Sequence, residues 1–205
     1  VQSGPAATFA FAPAQGDGVY RFAIQPVDVA GNAGPTPTGS GQASVTLDGA
    51  PPLAGALSGP AAVTAGPVSF AYSGAADALS RFHSVTLWVR PPSGLWAASA
   101  AVSVEPAGVL EFSGLAAQGL YEFALVARDN AGNLSPLPNG VGMTSLLYDA
   151  QAPSPGTVSL AGAHTNAAPI AVAYSGVADA VSGIAEVRLW AKRGTGAWTD
   201  TGLTS

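Results

Sequence analysis

The stretch "GLYEFALVARDNAGNLSP" at residues 119–136 has a counterpart in "GVYRFAIQPVDVAGNAGP" at residues 18–35, and that pairing decides how the chain is organised. Tyr121, Phe123, Leu125, Asp129, Gly132, Asn133 and Pro136 fall on Tyr20, Phe22, Ile24, Asp28, Gly31, Asn32 and Pro35 at a constant offset of 101. A second pair, "AYSGAADALSRFHSVTLWVR" (71–90) and "AYSGVADAVSGIAEVRLWAK" (173–192), sets Tyr72, Gly74, Asp77 and Trp88 on Tyr174, Gly176, Asp179 and Trp190 at an offset of 102. Asp48 with Pro52 returns as Asp149 with Pro153, again 101 apart. These Asp/Pro segments read as joints between units of about a hundred residues.

Strand signals agree with that size. Apolar positions alternate at Val68, Phe70 and Tyr72, at Val85, Leu87 and Val89, at Leu110 and Phe112, at Tyr121, Phe123 and Leu125, and around Met143 to Tyr148. Each run is bounded by Gly, Pro, Ser or Asn, and no stretch sustains an apolar stripe at helical spacing. Short alternating strands in a unit of this length predict an all-β chain of immunoglobulin-like antiparallel β-sandwiches in head-to-tail tandem. Tyr20 and Tyr121, each two residues before an aromatic, fit the tyrosine corner of such units.

The repeat register divides the chain into half, whole and half. Residues 52–153 hold a complete unit, residues 1–51 only the C-terminal half of one (strands E, F and G), and residues 154–205 only the N-terminal half (A, B and C). In the whole unit Trp88 lies 45 residues before Asn133; from Trp190 through Ser205 and on from Val1 to Asn32 the distance is 47. The two halves are thus expected to complete each other between copies, with Trp190 and Trp198 of one sharing a core or sheet with Phe9, Phe11, Tyr20 and Phe22 of the next. A contact of that kind does not close on itself and propagates into a fibre. The copies would be separate polypeptides that add strands to one another, or successive periods of a longer tandem protein.

The motifs "LYEFALVARDNAGN" and "SGIAEVRLWAKRGTGAW" resemble the tandem bacterial immunoglobulin-like (Big-type) repeats of cell-surface and secreted proteins. In those repeats an aromatic strand ends in D-x-A-G-N, and a tryptophan strand is followed by a G-x-W turn. The resemblance covers nearly the whole chain and implies an extracellular or cell-surface setting and a tandem array. Such repeats serve as stalks, spacers, adhesin shafts and accessory modules, so it leaves the function open.

Composition narrows the field. The 205 residues are 48% hydrophobic and 9% charged, with 26 glycines, 17 prolines, one methionine and no cysteine. Disorder needs few apolar residues and high net charge, and this chain at −5 has neither. Arg21, Arg81, Arg90, Arg128, Arg188, Lys192 and Arg193 are scattered, with only Lys192 and Arg193 adjacent, and form no basic stripe, which argues against nucleic acid or anionic membrane as partner. No apolar run reaches the length of a membrane span. Without an initiator Met or a leader pattern, the sequence is expected to be a processed chain or a segment of something longer.

Little in the sequence points to catalysis. His83 and His164 are far apart and no nucleophile motif or paired carboxylate accompanies them, so the chain is read as non-enzymatic. The D-x-A-G-N segments (28–32 and 129–133) read as turns in which Asp accepts backbone N–H bonds, Gly supplies positive φ and Asn tolerates the left-handed region. No cofactor is called for, although Asp77, Asp179, Asp48 and Asp149 near the joints keep Ca2+ as a secondary option. Trp96 and Trp198, after the "PSG" and "GTG" turns, read as caps on the sheet edge, with stacking on sugar rings the alternative. Asn133-Leu134-Ser135 has the N-glycosylation pattern, weakened by Pro136, and "GPTPTGSGQ" (34–42) is a Ser/Thr/Pro loop suited to O-linked glycans.

The sequence therefore predicts a structural subunit or repeat segment of an extracellular filament, stalk or adhesin shaft that polymerises head-to-tail with copies of itself. The competing class is a carbohydrate- or receptor-binding module; a third is the accessory region of a secreted hydrolase.

Overall fold

A computed structural model describes residues 6–166 and 168–205. Near the N-terminus β1 (Gly18–Phe22) and β2 (Ala43–Leu47) form a two-stranded antiparallel sheet. The middle of the chain carries β3 (Ala56–Ser58), β4 (Ala62–Val63), β5 (Val68–Ser73), β6 (Phe82–Arg90), β7 (Ala97–Ser103), β8 (Gly108–Phe112), β9 (Gly119–Asp129) and β10 (Thr144–Tyr148). These form a three-stranded sheet in the order β3-β5-β8 and a five-stranded sheet in the order β4-β10-β9-β6-β7. Two further two-stranded sheets follow, β11 (Thr157–Leu160) with β12 (Val172–Ser175), and β13 (Arg188–Ala191) with β14 (Thr199–Thr204).

The core lies in the middle of the chain. Val68, Phe70 and Tyr72 alternate with exposed neighbours along β5, as the period of two requires of a strand with one face covered. They meet Leu110 and Phe112 of β8, Val85 and Leu87 of β6, Tyr121, Phe123 and Leu125 of β9, and Leu146 of β10 in one apolar cluster. The Phe70 and Phe123 rings, one from each sheet, are 4.3 Å apart between centroids, and Phe112 meets Phe123 edge-on at 5.2 Å. Strand β9 is buried along most of its length because it runs through the middle of the five-stranded sheet.

The all-β expectation holds, but the expectation of immunoglobulin-like antiparallel β-sandwiches in tandem is corrected. Among the described residues the chain forms five small separate sheets, none closed into a sandwich, and three of them have two strands. Pairing is mixed rather than purely antiparallel, since Leu147 and Tyr148 of β10 pair in parallel with Ala62 and Val63 of β4. The physical reason lies in strand supply: each flank brings strands that pair only in twos, too few to close over its apolar faces, and a description as a chain of immunoglobulin-like sandwiches does not apply.

The hundred-residue repeat is nevertheless written in the strand registers. Tyr20 pairs with Val45 and Phe22 with Ala43, just as Tyr121 pairs with Leu146 and Phe123 with Thr144. Val158 pairs with Tyr174 as Leu57 pairs with Tyr72. Trp190 pairs with Asp200 as Trp88 pairs with Ala98, and the irregularity before each tryptophan recurs, between Arg188 and Trp190 and between Thr86 and Trp88. Each local ladder thus forms without help from distant strands.

Candidate functional site

Residues that form the core in the middle of the chain have exposed counterparts in the flanks. Phe123 is fully buried and Phe22 is 37% exposed; Phe112 is 7% exposed and Phe11 60%; Val68 is 2% exposed and Ile170 62%. The local contacts are kept. Phe11 packs on Tyr20 at 5.9 Å and on Phe22 at 5.4 Å, matching Phe112 on Tyr121 at 6.5 Å and on Phe123 at 5.2 Å. Phe9, counterpart of the buried Leu110, is exposed. The N-terminal flank therefore presents an exposed aromatic face.

The C-terminal flank presents a cleft. Val158, Ile170, Val172 and Tyr174, from the β11·β12 side, and Val187, Leu189 and Leu203, from the β13·β14 side, line a concavity of roughly 300 Å³. Their counterparts are Leu57, Val68, Phe70, Tyr72, Val85, Leu87 and Ala101, all in or against the central core. The Tyr174 hydroxyl lies 2.7 Å from Ser205 Oγ and ties the two walls together. The cleft is a core lined on two sides and lacking the aromatic side chains that fill it in the middle of the chain.

The sequence grouped Trp190 and Trp198 with Phe9, Phe11, Tyr20 and Phe22. The structure joins Phe11 to Tyr20 and Phe22 by ring contacts and leaves Phe9 exposed; the contact expected with the tryptophans lies between copies, and within the single chain no ring contact joins them among the described residues. Trp88, the counterpart of Trp190, is half-buried and lies outside the core formed by its neighbours Val85 and Leu87. The tryptophan position thus belongs to the outer face of the sheet. Lys192 Nζ sits 5.0 Å over the Trp198 ring, as the Arg90 guanidinium sits 5.3 Å over Trp96. Trp96 Nε1 also donates to the Gly140 carbonyl at 3.2 Å, which agrees with an edge-capping role.

The joints gather carboxylates. Asp48, Asp77 and Asp129 each place an oxygen within 4.8 Å of the others. Sequence reading singled out all three but did not connect them, since Asp129 belongs to a turn motif and the other two to the joint. Asp48 accepts from the Ala50 and Ser80 amides, Asp77 from the Leu79, Ser80 and Arg81 amides, and Asp129 from the Gly132 and Asn133 amides and from Asn133 Nδ2. With so many N–H donors aimed at them, these oxygens act as turn-closing acceptors in the structure. The second joint repeats the pattern: Asp179 accepts from the Val181, Ser182 and Gly183 amides and Asp149 from Ser182. The Ser80 side chain holds the Asp48 carboxyl below its usual range, the Asn32 side chain does so for Asp28, and the Val181 amide leads at Asp179.

In the D-x-A-G-N turn, Gly31 and Gly132 take positive φ as expected, at 93° and 99°. The left-handed role expected of the asparagine is not seen; among the described non-glycine residues only Arg81 and Ser93 have positive φ. Asn133 works through its side chain, with Nδ2 donating to Asp129 Oδ2 at 2.8 Å and to the Asp48 carbonyl at 3.0 Å. That use of Nδ2 competes with glycan attachment at this sequon. His83 Nδ1 lies 3.1 Å from Asn130 Oδ1, an exposed contact that presents no nucleophile. Among the described residues no helix is long and apolar enough to cross a membrane.

Comparison with family models, with curated proteins and with solved structures finds no match.

Proposed function

We propose that this chain is a structural, non-enzymatic segment of an extracellular filament, stalk or adhesin shaft that extends head-to-tail through its two flanks. One observation carries the reading: the aromatic face at Phe9, Phe11, Tyr20 and Phe22 and the cleft at Ile170, Val172 and Tyr174 are the two parts of an arrangement that is whole and buried in the middle of the same chain. Exposed apolar faces of this kind favour association, because burying them removes contiguous apolar surface from water. The contact uses different surfaces on the two partners, so it repeats without closing. Pro-rich joints such as "DGAPPLAG" and "DAQAPSPG" restrict φ between successive units, which suits a load-bearing shaft. The extracellular or cell-surface setting rests on the resemblance of the D-x-A-G-N and G-x-W motifs.

Light scattering after size-exclusion chromatography over a concentration series tests this reading. The expected outcome is mass growing with concentration in steps of the 20.1 kDa chain, with extended particles in negative-stain images. A 20.1 kDa monomer that persists at millimolar concentration overturns it.

A further inference from the structure

The strand ladders of the central unit extend the head-to-tail reading, on which the inference rests, to the level of register. In the middle of the chain β5 pairs with β3 on one side and β8 on the other, and β6 pairs with β7 and β9. Among the described residues, β12 of the C-terminal flank pairs only with β11 and β13 only with β14, while β1 of the N-terminal flank pairs only with β2. Each flank lacks the strands that the other supplies. Residues 7–11, the counterpart of β8, are not a strand in the single chain. The reason is physical: a strand is defined by its ladder, and β8 exists through its pairing with β5.

We infer that residues 7–11 of one copy add antiparallel to β12 of a second copy, and that residues 21–26 lie along its β13. Transferring the central pairs by the repeat offsets sets Phe11 opposite Ile170, Ala10 opposite Ala171 and Phe9 opposite Val172, from the pairs Phe112 with Val68, Glu111 with Ser69 and Leu110 with Phe70. It sets Ile24 opposite Leu189, Phe22 opposite Ala191 and Arg21 opposite Lys192, from Leu125 with Leu87, Phe123 with Val89 and Glu122 with Arg90. Pro26 takes the place of Ala127, whose amide donates to Ser135 Oγ rather than to β6, so the proline removes no ladder bond. Phe9 and Phe11 then fill the cleft lined by Ile170, Val172 and Tyr174.

The same register gives the seam between copies a property the central unit lacks. Arg90 and Glu122 form an ion pair in the middle of the chain, whereas at the seam the two positions hold Lys192 and Arg21. Like charges directly opposite across a ladder weaken it, and salt screens the repulsion. The junction between copies is therefore looser than the interior of the repeat and tightens as ionic strength rises.

The chain has no cysteine, so disulfide trapping reads the register cleanly. Ala10→Cys and Ala171→Cys, made in separate full-length chains of different tagged mass and mixed before oxidation, should give a mixed disulfide dimer. Ala10→Cys with Val172→Cys should give little, since these side chains point to opposite faces. Association without preferential trapping of the first pair overturns the register and leaves the head-to-tail reading standing. Chains that stay monomeric by light scattering overturn both. Arg21→Glu should strengthen association about three- to tenfold at low salt and flatten its salt dependence; an unchanged affinity overturns the placement of Arg21 opposite Lys192.

Discussion

Asn133 reaches Asp48 across 85 positions of the chain, its Nδ2 donating to the Asp48 carbonyl at 3.0 Å while it also holds Asp129 Oδ2 at 2.8 Å. The turn that ends β9 is thereby fastened to the segment that enters the unit. Asp129 is almost fully buried, so a lost donor there is not replaced easily by water.

Asn133→Ala should therefore destabilise the central unit by about 1–3 kcal/mol, the cost of leaving buried acceptors short of a donor. Asn32→Ala removes the equivalent bond to Asp28 Oδ2 in an exposed turn, where water replaces the donor, and should shift stability far less. Urea unfolding midpoints of the two variants check the difference.

The repeat and its local ladders were legible in the sequence because each ladder depends on neighbours within one flank. Tyr72, Phe70 and Val68 alternate in the sequence and alternate in burial. The equivalence of the two tyrosines was legible for the same reason: the Tyr121 hydroxyl donates to the Ala117 carbonyl and the Tyr20 hydroxyl to the Gly16 carbonyl, each four residues upstream. Layer assembly was not legible. Whether Phe22 is covered depends on which strand lies opposite, and matching motifs at Phe22 and Phe123 end with different burial. The Asp48, Asp77 and Asp129 cluster was missed because it joins segments whose approach is set by the packed unit rather than by any spacing in the chain.

Gly55 turns the chain with φ at +84°, and a Cβ placed there would stand 2.2 Å from the Ser73 carbonyl oxygen. The obstacle is backbone of β5, which cannot move aside without breaking its ladder. Gly55→Ala should cost at least about 2 kcal/mol, combining left-handed strain with the clash. Gly140→Ala, where a Cβ meets nothing within 4 Å, should stay within about 0.5 kcal/mol of the parent. Thermal or urea unfolding of both variants tests the contrast.

Acid should loosen the joints and the first D-x-A-G-N turn. Asp48, Asp28 and Asp179 have carboxyls held below the ordinary range, led by the Ser80 side chain, the Asn32 side chain and the Val181 amide respectively. A group whose pKa is lower folded than unfolded binds fewer protons in the folded state, so its stabilisation is complete above the unfolded value of ~3.9 and is lost as pH falls through the folded value. The unfolding midpoint should be flat in these groups between about pH 5 and 7 and fall below about pH 4. A urea series across that range reads it, and a midpoint that rises on acidification contradicts the assignment.

Phe123 and Phe22 occupy the same place in the repeat and should respond oppositely to truncation. Phe123 packs against Phe70 at 4.3 Å with no exposure, so Phe123→Ala removes a full aromatic side chain from a closed core and should cost about 3–5 kcal/mol of folding stability. Phe22 touches Phe11 but is open to solvent, so Phe22→Ala should cost the single chain under about 1 kcal/mol. If the exposed aromatic face is where a second copy docks, the loss reappears in assembly: Phe22→Ala should lower association at least tenfold in sedimentation velocity, an effect of about 1.4 kcal/mol or more. Association that is indifferent to Phe22→Ala, with folding intact, would place the contact between copies on some other surface.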